Sequence, residues 1–284
     1  MLELFLTIAF STLIIITFRL INRYKIDELE TIVFNYLFAS VWGILIWKEK
    51  LTLTDFVDKP WFALSMVIGA LFIVTFFLLS RSTSSVGLAI TAVASRMSVL
   101  IPVVAGFLLF GDSVSVLKIL GICLALLSFY LIFKPEKKVT VKVSRILLPF
   151  LLFLGIGAND TIMKYIQLHF LDGDETLLLT NVLYISLVIG SLIMLVRNTG
   201  MKKPISYKSI LAGFLLGSFN FAATFFFIRS MMQYESALLF PAVNVGIVAL
   251  TALSGMLFFR ENLSRINWIG IFTAIIAIVM ISQG

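Results

Sequence analysis

Charge is what this chain has least of. Asp, Glu, Lys and Arg make up 13% of its 284 residues, about half of what a soluble domain carries. Cysteine and histidine are scarcer still, with one of each, Cys123 and His169. A single cysteine in an apolar run excludes an internal disulfide framework. A single histidine at a helix end gives no reason to expect a metal site. No glycine-rich phosphate loop occurs, so neither ATP nor any other cofactor is expected. No nucleophile–base pair stands out, and no basic face is built for nucleic acid. Apolar residues take the place of all these: 60% of the chain is hydrophobic. No soluble core could hide that much, so lipid is the expected solvent and the bilayer an expected partner.

Backbone groups in lipid must be paired within the protein, which leaves helices or closed barrels. The apolar runs far exceed the ~10 alternating residues of a barrel strand. Ten of them approach the ~20 residues that cross a hydrocarbon core. They are Leu2–Phe18, Thr31–Trp47, Trp61–Ser80, Ser84–Phe110, Val116–Phe133, Ile146–Phe170, Thr176–Val196, Ser209–Ile228, Ser236–Phe259 and Ile266–Ser282. The first lacks a basic leading region and a small-residue cleavage site and carries Glu3, so it is expected to stay as a span. Trp47 and Trp61 are candidates for the membrane interface.

The fourth and fifth runs recur as the ninth and tenth. With a shift of 149 positions Gly106 falls on Gly255, Phe110 on Phe259, Asp112 on Glu261, Ser115 on Ser264 and Gly121 on Gly270. At 148, Gly69 falls on Gly217 and Arg81 on Arg229; at 145, Arg19 falls on Lys164 and Glu30 on Glu175. The chain therefore divides into residues 1–133, a basic linker at 134–145 (KPEKKVTVKVSR), and residues 146–284. Each half has five spans. A joined copy with an odd number of spans enters the membrane the other way up, so the halves are inverted repeats. The expected fold is an all-α polytopic membrane protein of ten transmembrane helices in two inverted five-helix repeats.

Ten spans in two five-helix halves, with "GFLLFGD" (106–112) and "GMLFFRE" (255–261) closing the fourth and ninth, resemble the drug/metabolite transporter superfamily, and within it the EamA-like family. Asp112 stands where that family's repeats usually carry Glu. The resemblance implies secondary transport of a small metabolite or drug through a central cavity between the halves, without naming one cargo.

The formal charge of +7 is read as loop cations that fix orientation. The first half does not vote, but the linker, Arg197, Lys202, Lys203, Lys208, Arg260 and Arg265 outweigh Arg229 and Lys164. The linker is thus expected in the cytoplasm and both termini outside, in a cell (inner) membrane. Lys59 and Lys118 are among the first-half cations expected in loops.

Arg96, midway along the fourth run, is the most costly residue in the sequence, at ~2.5–3.5 kcal/mol or more for a central Arg. Its helical neighbours Ala89, Ala92, Val93 and Val99 are mostly small. It is either a cavity group for a substrate carboxylate or phosphate, or a structural Arg tied to carbonyls or an acid. Asp160, near the middle of the sixth run, has Asn159 beside it and Lys164 one turn on. It is a proton-coupling candidate together with Lys164, or half of a self-satisfied pair with it. Asn220 with Thr224, Asn244, Thr75 and Ser95 complete the substrate-binding candidates, or bond helix to helix. Pro102 and Pro241 suit kinks. The leading function is a secondary transporter of a small molecule, working as an exporter, as a monomer or weak homodimer. The alternatives are a membrane enzyme on a lipid-linked substrate, which this sequence gives no clustered Asp, His or Arg to support, and a non-transporting scaffold or sensor.

Overall fold

A computed structural model describes residues 1–46, 54–86, 88–132, 146–171, 173–201, 205–259 and 265–284. The basic linker, Trp47, Lys202, Lys203, Arg260 and Glu261 lie outside the described residues, as do the side chains of Ala89, Ala92 and Val93. Among the described residues every element is a helix: α1 (Leu2–Arg23), α2 (Glu28–Ile46), α3 (Thr54–Val57), α4 (Phe62–Val86), α5 (Leu88–Met97), α6 (Leu100–Leu109), α7 (Val116–Ile132), α8 (Leu147–Phe170), α9 (Glu175–Met201), α10 (Tyr207–Gln233), α11 (Ser236–Phe259) and α12 (Arg265–Gln283). Eight of these are long and apolar enough to cross a membrane, and Ala94–Leu109 and Val116–Leu131 are shorter apolar helices at the fourth and fifth positions. The chain is an all-helical polytopic membrane protein, and a helix stands at each of the ten expected runs.

The fourth run departs from a single helix. α4 continues to Val86, past the expected start at Ser84, and the run itself breaks at Ser98–Val99 into α5 and α6. Pro102 is the cause. Its ring nitrogen cannot donate to the Ser98 carbonyl four residues back. That carbonyl instead accepts the Ile101 N–H at 3.0 Å, a tighter turn than the α-helix makes. Pro241 breaks nothing: α11 runs unbroken through it. It is the sixth residue of that helix, where the loss of one bond near the end is tolerated.

The segment "GFLLFGD" is a helix stop. Gly111 adopts φ +72°, a left-handed conformation that costs glycine little. The chain then turns back so that the Asp112 N–H reaches the Gly106 carbonyl at 3.0 Å. A Cβ on Gly106 would lie 2.9 Å from Ser236 Cβ, so the glycine is what lets α6 approach the start of α11.

The chain forms two compact units: Met1–Ile73 with Ile166–Arg229, and Val74–Tyr165 with Ser230–Gly284. Each takes helices from both sequence halves. In the first unit α2 packs on α9. The equivalent glycines of α4 and α10 make reciprocal close approaches there. A Cβ on Gly69 would meet Ile185 Cβ of α9 at 2.8 Å, and one on Gly217 would meet the Asn35 carbonyl of α2 at 2.5 Å. Small residues at such crossings let helix backbones come together where lipid gives no hydrophobic drive. In the second unit α12 packs on α7 and α11, and α11 also packs on α6 and α7. Trp61 is fully buried, so it is not an exposed interfacial anchor.

Candidate functional site

The second unit gathers most of the polar residues singled out in the sequence. The break after α5 puts Arg96 in that helix's last turn, where carbonyls carry the negative end of the helix dipole and favour a cation. Arg96 Nη1 donates to Asn244 Oδ1 of α11 at 3.0 Å, and Asn244 Nδ2 donates to the Phe240 carbonyl at 3.0 Å. Ser95 Oγ donates to the Thr91 carbonyl at 2.9 Å. Asp160 of α8 acts on Arg96 through its charge, and no ion pair within 4.0 Å joins the two. Asn159 is buried at 7% exposure, and its Oδ1 has no hydrogen-bond partner among the described residues.

Glycines bring α8 close to its neighbours. A Cβ on Gly155 would sit 2.7 Å from Thr75 Cγ2, and one on Gly157 would sit 2.7 Å from Ile101 Cβ. Thr75 is thereby packed against α8 within the same unit. Lys164 is buried, and its Nζ donates to the Met231 carbonyl at 2.5 Å and to the Tyr234 carbonyl at 3.4 Å. A lysine on the terminal carbonyls of α10 opposes that helix's dipole.

Asn220 belongs to the first unit. Its Nδ2 donates to Asn35 Oδ1 at 3.1 Å, and Thr224 Oγ1 donates to Asn220 Oδ1 at 3.4 Å. Sequence reasoning did not single out Asn35, whose signal is one amide inside the apolar stretch "TIVFNYLF". It also missed a second crosslink in this unit, Asn181 Nδ2 to Ser65 Oγ at 2.6 Å.

An ion cluster closes one end of the second unit. Lys118, read from the sequence as a loop cation, lies inside α7 and is only 6% exposed. Its Nζ donates to Glu235 Oε2 at 2.6 Å and to the Ser113 carbonyl at 3.1 Å, and it also bonds Ser113 Oγ. Asp112 Oδ2 accepts from the Ala237 N–H at 2.9 Å, so this acid supplies a partner at the start of α11. Lys118 does this for Glu235: its hydrogen bond, helped by its charge and by Ser113, holds that carboxyl below the ordinary carboxylate value while burial pushes it up.

The fold defines a polytopic helical membrane protein with buried polar residues. Residues 144–283 match the family described as the EamA-like transporter family. The second half of the chain is therefore an EamA-like transporter domain, as the resemblance of its "GMLFFRE" segment implied. An uncharacterized protein of Haemophilus influenzae is 25% identical over 287 aligned positions, covering 97% of this chain and 96% of that protein. A solved crystal structure superposes with a TM-score of 0.79 at 13% identity, covering 99% of this chain and 96% of that one, which shows a shared fold.

The Glu235–Lys118 contact predicts a pH dependence. A carboxyl whose folded value is lowered stabilises the fold above its unfolded value, and that stability is lost as pH falls through the folded one. Glu235→Gln is expected to lower the unfolding temperature in detergent at pH 7, by the modest ~0.2–1 kcal/mol typical of a half-exposed pair. The gap to the wild type should begin to narrow below the ordinary value of 4.5 and close once pH falls below the lowered folded value. A gap independent of pH would contradict the ionic reading.

Proposed function

We propose that this protein is a secondary transporter that exports a small metabolite or drug by alternating access. Residues 1–133 and 146–284 act as two inverted repeats. Two packings of similar energy, one open to each side, are what inverted repeats provide. The observation that carries the reading is Arg96. It sits beside an unwound turn in mid-span and donates to a residue of the other repeat. Discontinuous helices of this kind form substrate sites in transporters built on repeats. The EamA-like match of the second half and the reciprocal contacts of Gly69 and Gly217 support it further.

In this mechanism Arg96 binds an anionic group of the substrate. Thr75, Ser95 and Asn244 of the same unit offer further polar contacts to the substrate, and Asn220 of the first unit is a separate substrate-binding candidate. Asp160, with Lys164 one turn on, carries the coupling proton. Arg96 and Asp160 interact electrostatically without a direct ion pair, which leaves each open to exchange its partner. The protein works as a monomer or weak homodimer in the cell (inner) membrane, with the linker 134–145 in the cytoplasm and both termini outside.

Arg96→Ala is expected to abolish flux in liposomes while expression and folding stay near normal. Arg96→Lys should recover little, because a lysine offers a point charge in place of a fork. Asp160→Asn should stop pH-driven transport and spare substrate exchange. Normal flux in both Arg96→Ala and Asp160→Ala would remove these residues from the mechanism. Orientation has its own test. In a Cys123→Ser background, a cysteine at Lys138 should resist impermeant thiol reagents on whole cells, and one at Gly284 should react. The opposite pattern would invert the topology.

A further inference from the structure

Ser95 and Asn244 stand at equivalent positions of the fourth and ninth spans, 149 residues apart. Each bonds back to its own helix one turn earlier, Ser95 to the Thr91 carbonyl and Asn244 to the Phe240 carbonyl. Thr91 and Phe240 are equivalent at the same shift. The same backbone acceptor is thus met by a hydroxyl in one repeat and by an amide N–H in the other. What Asn244 has beyond Ser95 is a second polar atom, Oδ1, and that atom receives Arg96 Nη1. The position equivalent to Arg96 is Val245, so the bond has no counterpart in the other repeat.

A carboxamide has the planar shape of a carboxylate without its charge. Oδ1 satisfies one of the five N–H groups of the guanidinium and leaves its charge to the field of Asp160. A carboxylate accepts two parallel hydrogen bonds from such a fork, and these charge-assisted bonds are about twice as strong as neutral ones. We propose that Asn244 is a placeholder for the carboxylate of the transported molecule. Without substrate, Asn244 holds the guanidinium in place. A substrate carboxylate displaces Oδ1 and takes Nη1 together with a second N–H. A neutral amide or hydroxyl gains too little over Asn244 to displace it, so this residue sets the selectivity for anions. The proposal rests on the reading of Arg96 as the substrate-binding cation.

The test uses the purified full-length chain in detergent. Binding of benzoate, its neutral isostere benzamide and inorganic phosphate is measured by calorimetry. The wild type should prefer benzoate to both other probes. Asn244→Ser copies the residue of the first repeat, keeping a hydroxyl for the backbone bond and removing Oδ1; it should bind benzoate at least about tenfold more tightly, the worth of one hydrogen bond from a charged donor. Asn244→Asp should lose benzoate binding, because the carboxylate is built in. In an Arg96→Ala background the gain from Asn244→Ser should vanish. Equal or weaker benzoate binding by Asn244→Ser would overturn the proposal, as would no benzoate binding by wild type and Asn244→Ser alike. A preference for phosphate would overturn the assignment to a planar carboxylate. Liposome flux separates the two readings. The expected binding pattern without flux removes transport and keeps the placeholder, whereas flux without the pattern removes the placeholder alone.

Discussion

A guanidinium inside the fourth apolar run, that of Arg96, is the constraint that the rest of the second unit answers. It costs at least ~2.5–3.5 kcal/mol to insert, and lipid offers it no partner. The chain supplies several partial remedies together. Pro102 unwinds the span so that Arg96 ends a half-helix, where the terminal carbonyls favour a cation. Asn244 reaches it from the ninth span, and Asp160 contributes an opposite charge from the sixth. None of these is a tight, fixed ion pair. A purely structural arginine would be expected to have one, since breaking or omitting a buried pair is costly.

The contrast with the other charged groups sharpens this. Arg197 binds Asp27 through Nη1 at 2.8 Å, and its Nη2 lies 3.4 Å from Oε1 of the fully buried Glu30. Glu30 Oε2 also accepts the Ser206 N–H at 3.2 Å. Lys59 pairs with Asp174, and Lys118 with Glu235. These charges hold helix ends together inside one unit or the other, and their partners are direct. Arg96 and Asp160 lie in the same unit as the broken span and make no direct ion pair with each other.

Run length and composition made the ten helices legible, because a bilayer of fixed thickness leaves little freedom in how long an apolar helix must be. The break at Ser98 was half legible. Pro102 pointed to a kink, but Pro241 pointed to one equally, and only its place near the start of α11 spares that helix. Arg96 announced itself by its cost, whereas its partner did not. Asn244 lies 148 residues away, and in sequence it looked no different from other amides in apolar runs. The repeat placed it opposite Ser95, which is next to Arg96, and that was the available signal. Lys118 was misread because it follows a polar break, "GDSVSV", and only the fold shows it turned inward to Glu235. Contacts such as Asp112 to Ala237 depend on how spans pack, and apolar periodicity says little about that when lipid and protein neighbours are equally apolar.

Reach from both sides of the membrane is the most direct measure of whether the Arg96 region serves transport. A cysteine can be placed at Ser95 in a Cys123→Ser background, and the protein reconstituted in one orientation into sealed liposomes. Impermeant thiol reagent is then supplied either outside or trapped inside. Alternating access predicts that the cysteine is modified from each side in turn. Modification from one side only, or from neither, would contradict it.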